Sequence, residues 1–311
     1  MLSHDHSCQD HHHHLGDPNS RAFLIAIALN TVFVVIEFIY GLLAHSTALM
    51  ADAGHNLSDV LGLLLLLGAA YISRRTPEGR FTYGLRSTSI LAALSNAMFL
   101  MVVCGAIAWE ALHRFSHPEA VDGLTVILVA GMGIAINGIS AWLFVRGSHD
   151  DLNIRGAYLH MLSDAIVSAG VVFAAILMML TGMYWLDPVI SLIIVAVIVS
   201  ATWGLMRDSL SLALNAIPPN IDATAVEAYL RNCAGVADIH DLHIWGMSTT
   251  ESALTVHLVI PEGYPGDAFM DDMMLSLQTR FSIGHSTLQV EQGTTDHSCM
   301  LHPPQHGTIQ K

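Results

Sequence analysis

Six long runs of apolar residues follow one another along the chain, and polar residues interrupt them at only a few positions. Each run has about the length that an α-helix needs to cross the hydrocarbon core of a bilayer, which is roughly 30 Å thick. The pattern therefore predicts a polytopic α-helical membrane protein with six transmembrane helices. The runs cover residues 22–43, 48–72, 88–111, 124–145, 156–180 and 189–205.

The pattern changes after the sixth run, where shorter helices and strands are predicted. The expected order is helix, strand, strand, helix and strand, which is typical of a small α+β domain. About 70 residues make a small hydrophobic core, so we expect dimerisation to help stabilise this domain. These elements are expected at residues 222–233, 239–247, 252–260, 267–281 and 286–291.

We therefore expect four parts: a His-rich cytosolic tail over residues 1–20, a membrane domain over 21–211, a cytosolic domain over 212–295 and a flexible tail over 296–311. The first tail contains His4, His6, Cys8 and four consecutive histidines, so it is interpreted as a metal-collecting tail, against the alternative of a purification tag or a neutral polar tail. It lacks the basic start and apolar run of a signal peptide.

Composition supports the membrane assignment, because 53% of the residues are hydrophobic and only 12% are charged. Such a composition argues against a soluble domain of this length. The formal net charge of −14 argues against a nucleic-acid partner and suits a protein that handles cations. The four cysteines form no C-x-x-C pair, which is compatible with a reducing cytosol.

The basic residues predict the orientation in the membrane. Six spans place both termini on one side, and every lysine and arginine except Arg114 falls on that side or in the C-terminal domain. Positive residues favour the cytoplasmic side, so both termini are expected in the cytoplasm of a multi-pass inner (plasma) membrane protein. The second and fifth spans then run antiparallel.

Two copies of one short motif stand within the second and fifth runs. His55 and Asp59 belong to the first H-x-L-S-D sequence, and His160 and Asp164 belong to the second. Residues four apart lie on one face of a helix, one turn above the other. Two such helices facing each other would offer two imidazoles and two carboxylates, a donor set suited to Zn²⁺.

Each His-Asp pair also has other readings, as an ion pair that satisfies itself within its helix or as part of a proton relay. An aspartate at the centre of a membrane helix costs about 2.5–3.5 kcal/mol, so such residues generally line ion or proton paths. The repetition of the motif favours a buried metal site in a transporter. Asn30 and Glu37, seven apart in the first run, are likewise expected to face the helix bundle or a cavity.

The C-terminal domain has a polar cluster of its own, formed by His240, His243, His257, His285 and Glu291. Together with the His-rich tail, these residues predict a second, cytosolic metal site. The alternative is that they are ordinary surface or strand-pair residues. The last tail contains His297, Cys299, His302 and His306 and is interpreted as flexible, with a capacity to bind metal.

At this point the motifs form a recognisable set, and the chain resembles the cation diffusion facilitator family, in particular its bacterial zinc-exporting branch. The matching residues are Ser46 to Asp59, Tyr83-Gly-Leu-Arg86, His160-Met-Leu-Ser-Asp164 and His240-Asp-Leu-His243-Ile-Trp245. The resemblance implies six transmembrane helices, a metallochaperone-like cytosolic domain, a homodimer, and export of Zn²⁺ in exchange for protons.

The resemblance also implies functional residues. It assigns the transport site to His55, Asp59, His160 and Asp164, and cytosolic ligands to His257, His285 and Glu291, with His240 as a fourth candidate. It implies no catalytic residue and no cofactor, since Zn²⁺ is the substrate and a candidate regulatory ligand. The chain departs from the family pattern at Arg74, Arg75 and Glu78, where some members have metal ligands, and at Asn215, where the family has an acid.

Two other functions remain open at this stage. One is a metal-gated channel or sensor, and the other is a membrane enzyme or electron carrier that binds metal or haem through histidine. The chain contains neither a C-x-x-C-H haem signature nor a plausible catalytic triad, so no enzymatic activity is expected.

Overall fold

The computed structural model of the protein describes residues 18–73, 77–117, 119–145 and 152–294. Six long helices come first, and a small domain of two helices and three strands follows. The long helices are α1 (Pro18–Leu43), α2 (Thr47–Ser73), α3 (Thr88–Ser116), α4 (Gly123–Val145), α5 (Leu152–Thr181) and α6 (Leu186–Ala213). The helical prediction for all six apolar runs is therefore confirmed, and the helices extend beyond most predicted ends by a few residues.

Within the described residues, four helical segments are long and apolar enough to cross a membrane. Helix α1 adds a shorter apolar stretch, Asn30–Leu43. The complete set of six spans stays a prediction. Most of both predicted tails, together with Arg74 and Arg75, lies outside the described residues. The four segments are Thr88–Ser116, Gly123–Trp142, Tyr158–Thr181 and Leu186–Ala213.

The chain divides into two compact units, and the first contains residues 1–60 and 102–199. In this unit α4 packs against both α1 and α5. Gly133 of α4 allows the close approach, because a Cβ atom at this position would lie 2.8 Å from Cζ of Phe33 and 3.2 Å from Oγ of Ser168. A larger residue would push α4 away from its two neighbours.

The N-terminus of α2 is capped by a residue of another helix, Asp187 in the first turn of α6. The Asp187 carboxylate accepts hydrogen bonds from Oγ of Ser46 at 2.5 Å, from Oγ1 and N of Thr47 at 2.6 and 2.7 Å, and from N of Ala48 at 3.3 Å. The first backbone N–H groups of a helix have no partner within it. Asp187 supplies that partner at a fully buried position.

Arg114, near the end of α3, is bound at the turn between α1 and α2. It donates hydrogen bonds to Glu110 at 2.9 Å and to the carbonyl oxygen of His45. His45 has a φ of 53°, a left-handed conformation that an L-residue seldom adopts. The Arg114 contact therefore stabilises an unusual turn just before α2.

The second unit contains residues 61–101 and 200–311, of which the small domain forms a large part. The central strand is β2 (Ser252–Val259), which is antiparallel to β1 (Asp238–Gly246) and parallel to β3 (His285–Glu291). This confirms the predicted order of elements in the α+β domain. The elements are α7 (Ala223–Arg231), β1 (Asp238–Gly246), β2 (Ser252–Val259), α8 (Asp267–Phe281) and β3 (His285–Glu291).

The sheet and the two short helices enclose one apolar core. Helix α7 contributes Val226 and Leu230, and α8 contributes Met273 and Leu277, all of them buried. Asp222 caps α7 as predicted, since it accepts hydrogen bonds from the backbone N–H groups of Thr224 and Ala225 at 3.0 and 3.1 Å.

The Tyr83-Gly-Leu-Arg86 segment precedes α3 and contacts the small domain within the second unit. Nη1 of Arg86 lies 2.5 Å from Oε2 of Glu251, and Oγ of Ser87 donates to the carbonyl oxygen of Met247 at 3.2 Å. This motif therefore has a structural role in the second unit.

Candidate metal centres

The four residues of the repeated motif meet between α2 and α5. Nε2 of His55 lies 3.6 Å from Oδ2 of Asp59 and 3.6 Å from Oδ1 of Asp164. Nε2 of His160 lies 3.3 Å from Oδ2 of Asp59 and 3.6 Å from Oδ2 of Asp164. Each imidazole thus contacts the carboxylate of its own helix and that of the opposite helix.

These spacings can be compared with those around a metal ion. Four ligand atoms held tetrahedrally at about 2.0–2.2 Å from one zinc ion lie roughly 3.3–3.6 Å from each other. The observed nitrogen-to-oxygen distances run from 3.3 to 3.6 Å. The ligand atoms of Asp59, His160 and Asp164 lie within 4.8 Å of one another. His55 is not part of this group of three, although its Nε2 lies 3.6 Å from a carboxylate oxygen of each aspartate. The arrangement therefore offers Asp59, His160 and Asp164 as close ligands for a single divalent ion, with His55 as the fourth.

Burial differs strongly among the four side chains. Asp164 is 3% exposed, whereas Asp59 and His160 are 34% and 39% exposed. Oδ2 of Asp59 is enclosed, faces both imidazoles and makes no hydrogen bond to the described residues. A buried carboxylate oxygen without a donor is unfavourable unless a cation completes its surroundings.

Two further buried carboxylic acids lie near this centre. Glu37 of α1, which was expected to face the bundle, is 0% exposed, and so is Asp52 of α2. Nδ2 of Asn56 donates to Oε2 of Glu37 at 3.0 Å, and Oγ of Ser168 donates to Oδ2 of Asp52 at 2.7 Å. Sequence reasoning assigned no role to Asp52, although its position one turn before His55 was a usable signal.

The three strands of the small domain bring together a second cluster, made of His240, His257 and Glu291. Nε2 of His240 lies 3.0 Å from Oε2 of Glu291, and Nδ1 of His257 lies 2.8 Å from Oε1 of the same residue. The two imidazole rings are 4.8 Å apart. His240 and His257 are direct partners across β1 and β2, which explains their closeness.

Electrostatics in this cluster favours the ionised form of Glu291. Burial acts to raise the pKa of Glu291, but the hydrogen bonds from His240 and Gln289 outweigh it and leave the pKa below its ordinary value. An ionised carboxylate beside two imidazoles is a suitable donor set for a transition-metal ion.

Asp241 joins this cluster at an irregular point of β1. Its φ of 53° coincides with a register shift between His240 and His243. One carboxylate oxygen lies 3.1 Å from Nε2 of His243, and the other lies 3.7 Å from Nε2 of His257. His243 thus contacts Asp241, and sequence reasoning had given Asp241 no role.

The structure does not bring His285, one of the predicted cytosolic ligands, to this cluster. His285 is paired with Ala253, whereas His257 is paired with Gln289 further along β3. Six residues of a strand span about 20 Å, so His285 and Glu291 cannot share one ion on the same strand. The His285 ring instead contacts Tyr83, with centroids 5.7 Å apart.

Comparison with known proteins gives two family matches. Residues 23–212 match the cation efflux transmembrane domain, and residues 218–293 match the cytoplasmic domain of cation efflux proteins. Together the two matches cover all six long helices and the small domain except for a few terminal residues.

Individual relatives cover nearly the whole chain. It is 34% identical to zinc transporter ZitB of Escherichia coli over 292 residues, which are 93% of each protein. It is 33% identical to a cadmium, cobalt and zinc/H(+)-K(+) antiporter of Bacillus velezensis, over 92% of this chain and 93% of the relative. It is 35% identical to metal cation efflux system protein CzcD of Cupriavidus metallidurans, over 90% and 89%. This multi-pass membrane protein therefore belongs to the cation efflux family.

Proposed function

We propose that the protein is a homodimeric secondary transporter of the inner membrane that exports Zn²⁺ from the cytoplasm in exchange for protons, by alternating access. The single observation that carries this proposal is the spacing of His55, Asp59, His160 and Asp164. Their facing nitrogen and oxygen atoms stand at the distances of a tetrahedral zinc shell.

The charges of the four ligands explain how a dication crosses a low-dielectric region. Two ionised aspartates neutralise one Zn²⁺, and two neutral imidazoles complete its coordination. Without metal, the same groups bind protons, so metal binding displaces protons and proton binding displaces metal. Coupling to an inward proton gradient then drives zinc outward, and no covalent step is required.

The names of the relatives support this reading of the site. Those described above are named for zinc, for cadmium, cobalt and zinc, and for metal cations, and one of them is named as an H(+)-K(+) antiporter. The distribution of basic residues supports a cytoplasmic location for the termini and the small domain.

The small domain has two proposed roles, dimerisation and metal sensing. His240, His257 and Glu291 would hold a cytosolic Zn²⁺, with Asp241 and His243 beside them. Metal at this cluster can favour a transport-competent state only if the two states differ in metal affinity. The cluster would then adjust transport to the cytosolic zinc level.

The function is tested with the purified protein in sealed proteoliposomes. A proton gradient should drive saturable Zn²⁺ movement, and added Zn²⁺ should move protons in the opposite direction. Zinc movement that follows only its own gradient, without saturation or proton movement, would instead indicate a channel. A haem absorption band in the purified protein would indicate the enzyme or electron-carrier reading.

For the cytosolic cluster, we expect His257→Ala to weaken zinc binding and His285→Ala to leave it unchanged. The first change removes a ligand from the cluster, and the second removes a histidine that the structure places elsewhere on β3. Loss of the hydrogen-bond partner of a ligand typically costs about tenfold to a hundredfold in affinity, and loss of a ligand itself should cost at least that much. The zinc affinity is measured by titration calorimetry of the full chain. Asp164→Asn is present in every protein compared, so that zinc binding at the transport site is removed. An equal loss in both variants would contradict the assignment.

A further inference from the structure

Glu37 and Asp52 form a buried acidic pair beside the metal centre that the four-ligand mechanism does not use. They come from different helices, α1 and α2, and both are 0% exposed. Each has one oxygen that accepts a hydrogen bond from a neutral side chain, from Asn56 for Glu37 and from Ser168 for Asp52. No donor in the described part of the chain reaches the second oxygens, Oε1 of Glu37 and Oδ1 of Asp52.

The two carboxyl groups lie within hydrogen-bonding reach of each other. An ionised carboxylate only accepts hydrogen bonds, so a hydrogen bond between two carboxyl groups requires a proton on one of them. Two carboxylates about 3 Å apart in a buried site do not both ionise, because their repulsion is too strong. The pair is therefore arranged to share one proton between its two carboxyl groups.

The surroundings supply little positive charge that would replace this proton. Among the side chains described in the first unit, Arg114 is the sole lysine or arginine, and it is bound to Glu110 and His45. The charged and titratable groups that act on the pair are Asp164 of α5 and His55 of α2. Helix α4, which packs against α1 and α5, contains no Asp, Glu, His, Lys or Arg.

We propose that Glu37 and Asp52 share one proton and form a separate proton-binding site, through which protons reach and leave the four metal ligands. This rests on the proposed zinc–proton exchange. Asp52 precedes His55 by one turn of α2, and its partner Ser168 follows Asp164 by one turn of α5. The pair is thus connected to both helices that carry the ligands.

The step is a proton transfer between groups of the protein. When Zn²⁺ enters from the cytoplasm, a proton displaced from a ligand moves to the singly protonated pair and from there to the cytoplasm. When Zn²⁺ leaves on the other side, a proton from that side binds to the pair and passes to the emptied ligands. The pair changes between one proton and two, so it never has to carry two negative charges. No oxidant, reductant or further reactant takes part.

The first test is infrared spectroscopy of the full-length wild-type protein over a pH series. A protonated carboxylic acid has a carbonyl stretch that a carboxylate lacks. We expect such a band at neutral pH, absent from both Glu37→Gln and Asp52→Asn and present in the matched control Glu110→Gln. Absence of the band from the wild type at neutral pH overturns the proposal, and this result needs no variant to fold.

The second test separates proton coupling from zinc binding in proteoliposomes. Exchange of labelled zinc for unlabelled zinc needs no net proton movement, whereas net uptake driven by a pH gradient does. We expect Glu37→Gln to retain zinc exchange and to reduce net uptake on the order of a hundredfold, the usual contribution of a positioned proton-transfer group. If Glu37 had only a structural role, Glu37→Gln would lower the rate of zinc exchange and the rate of net uptake together.

The outcomes distinguish this inference from the proposed function. Glu37→Gln could show the same ratio of net uptake to exchange as a wild type with normal coupling. This result overturns the proposed proton site and leaves the proposed transport function standing. Wild-type protein with neither net uptake nor exchange overturns the proposed function, and the infrared band still decides whether the pair holds a proton.

Discussion

Replacing Asp164 by asparagine should abolish zinc transport while the protein still inserts and dimerises. Asp164 is the most buried ligand, and its two oxygens contact one imidazole each. Asparagine has nearly the same shape but no negative charge, so the incoming dication is left under-neutralised in a low-dielectric site. Breaking a buried charge pair in this way costs about 3–5 kcal/mol, which corresponds to a loss of affinity on the order of a hundredfold or more.

Proton-driven zinc uptake into proteoliposomes measures this effect, and size-exclusion chromatography checks that the variant is intact. Asp208→Asn is the matched control, because Asp208 is on α6 but half exposed and paired with Arg207, which is still more exposed. We expect its uptake to equal that of the wild type. Near-normal uptake by a well-folded Asp164→Asn protein would remove the four-ligand site from the mechanism.

Asp187→Asn should mainly lower the stability of the protein, and its effect on zinc binding and transport should be smaller. The Asp187 carboxylate accepts four buried hydrogen bonds from Ser46, Thr47 and Ala48. An amide can accept at only one of its two positions, so two donors are left unsatisfied or face an N–H group. Unsatisfied buried donors and the lost charge cost together about 3–5 kcal/mol.

The measurement is thermal unfolding of the purified protein in detergent, where a loss of this size lowers the transition by about 10 °C. The matched control is Asp122→Asn, since Asp122 also accepts hydrogen bonds at a helix N-terminus, from N and Oγ1 of Thr125, but is exposed. That cap should contribute only about 0.5–2 kcal/mol. Equal shifts for the two variants would mean that burial of Asp187 adds nothing.

Features that depend on short stretches of chain were predictable from the sequence. Helical lengths follow from runs of apolar residues, and the pairing of His55 with Asp59 follows from the period of the helix. In the small domain, alternation of apolar and polar residues predicted β1 and β2, and a side-chain acceptor before an apolar stretch predicted the cap at Asp222. These signals depend only on residues that are close in sequence, so they can be read without knowing how the helices and strands pack.

The repeated motif also carried a signal about tertiary structure. Two copies of one His-Asp pair in separate apolar helices are unfavourable in a membrane unless the helices face each other. Close packing of α2 against α5 at Asp59 and His160 could therefore be expected. In the structure, Nε2 of His160 lies 3.3 Å from Oδ2 of Asp59.

Other features were decided only by the tertiary structure. The contact of Asp187 with Ser46 and the hydrogen bond of Asp52 with Ser168 join residues more than a hundred positions apart. The register of β3 against β2 put Gln289, and not His285, beside His257. Such contacts depend on how helices and strands are rotated and shifted against each other, and this is set by packing over the whole interface. The amino-acid sequence by itself determined which residues could serve as ligands and which segments form helices, whereas packing determined which of those residues meet.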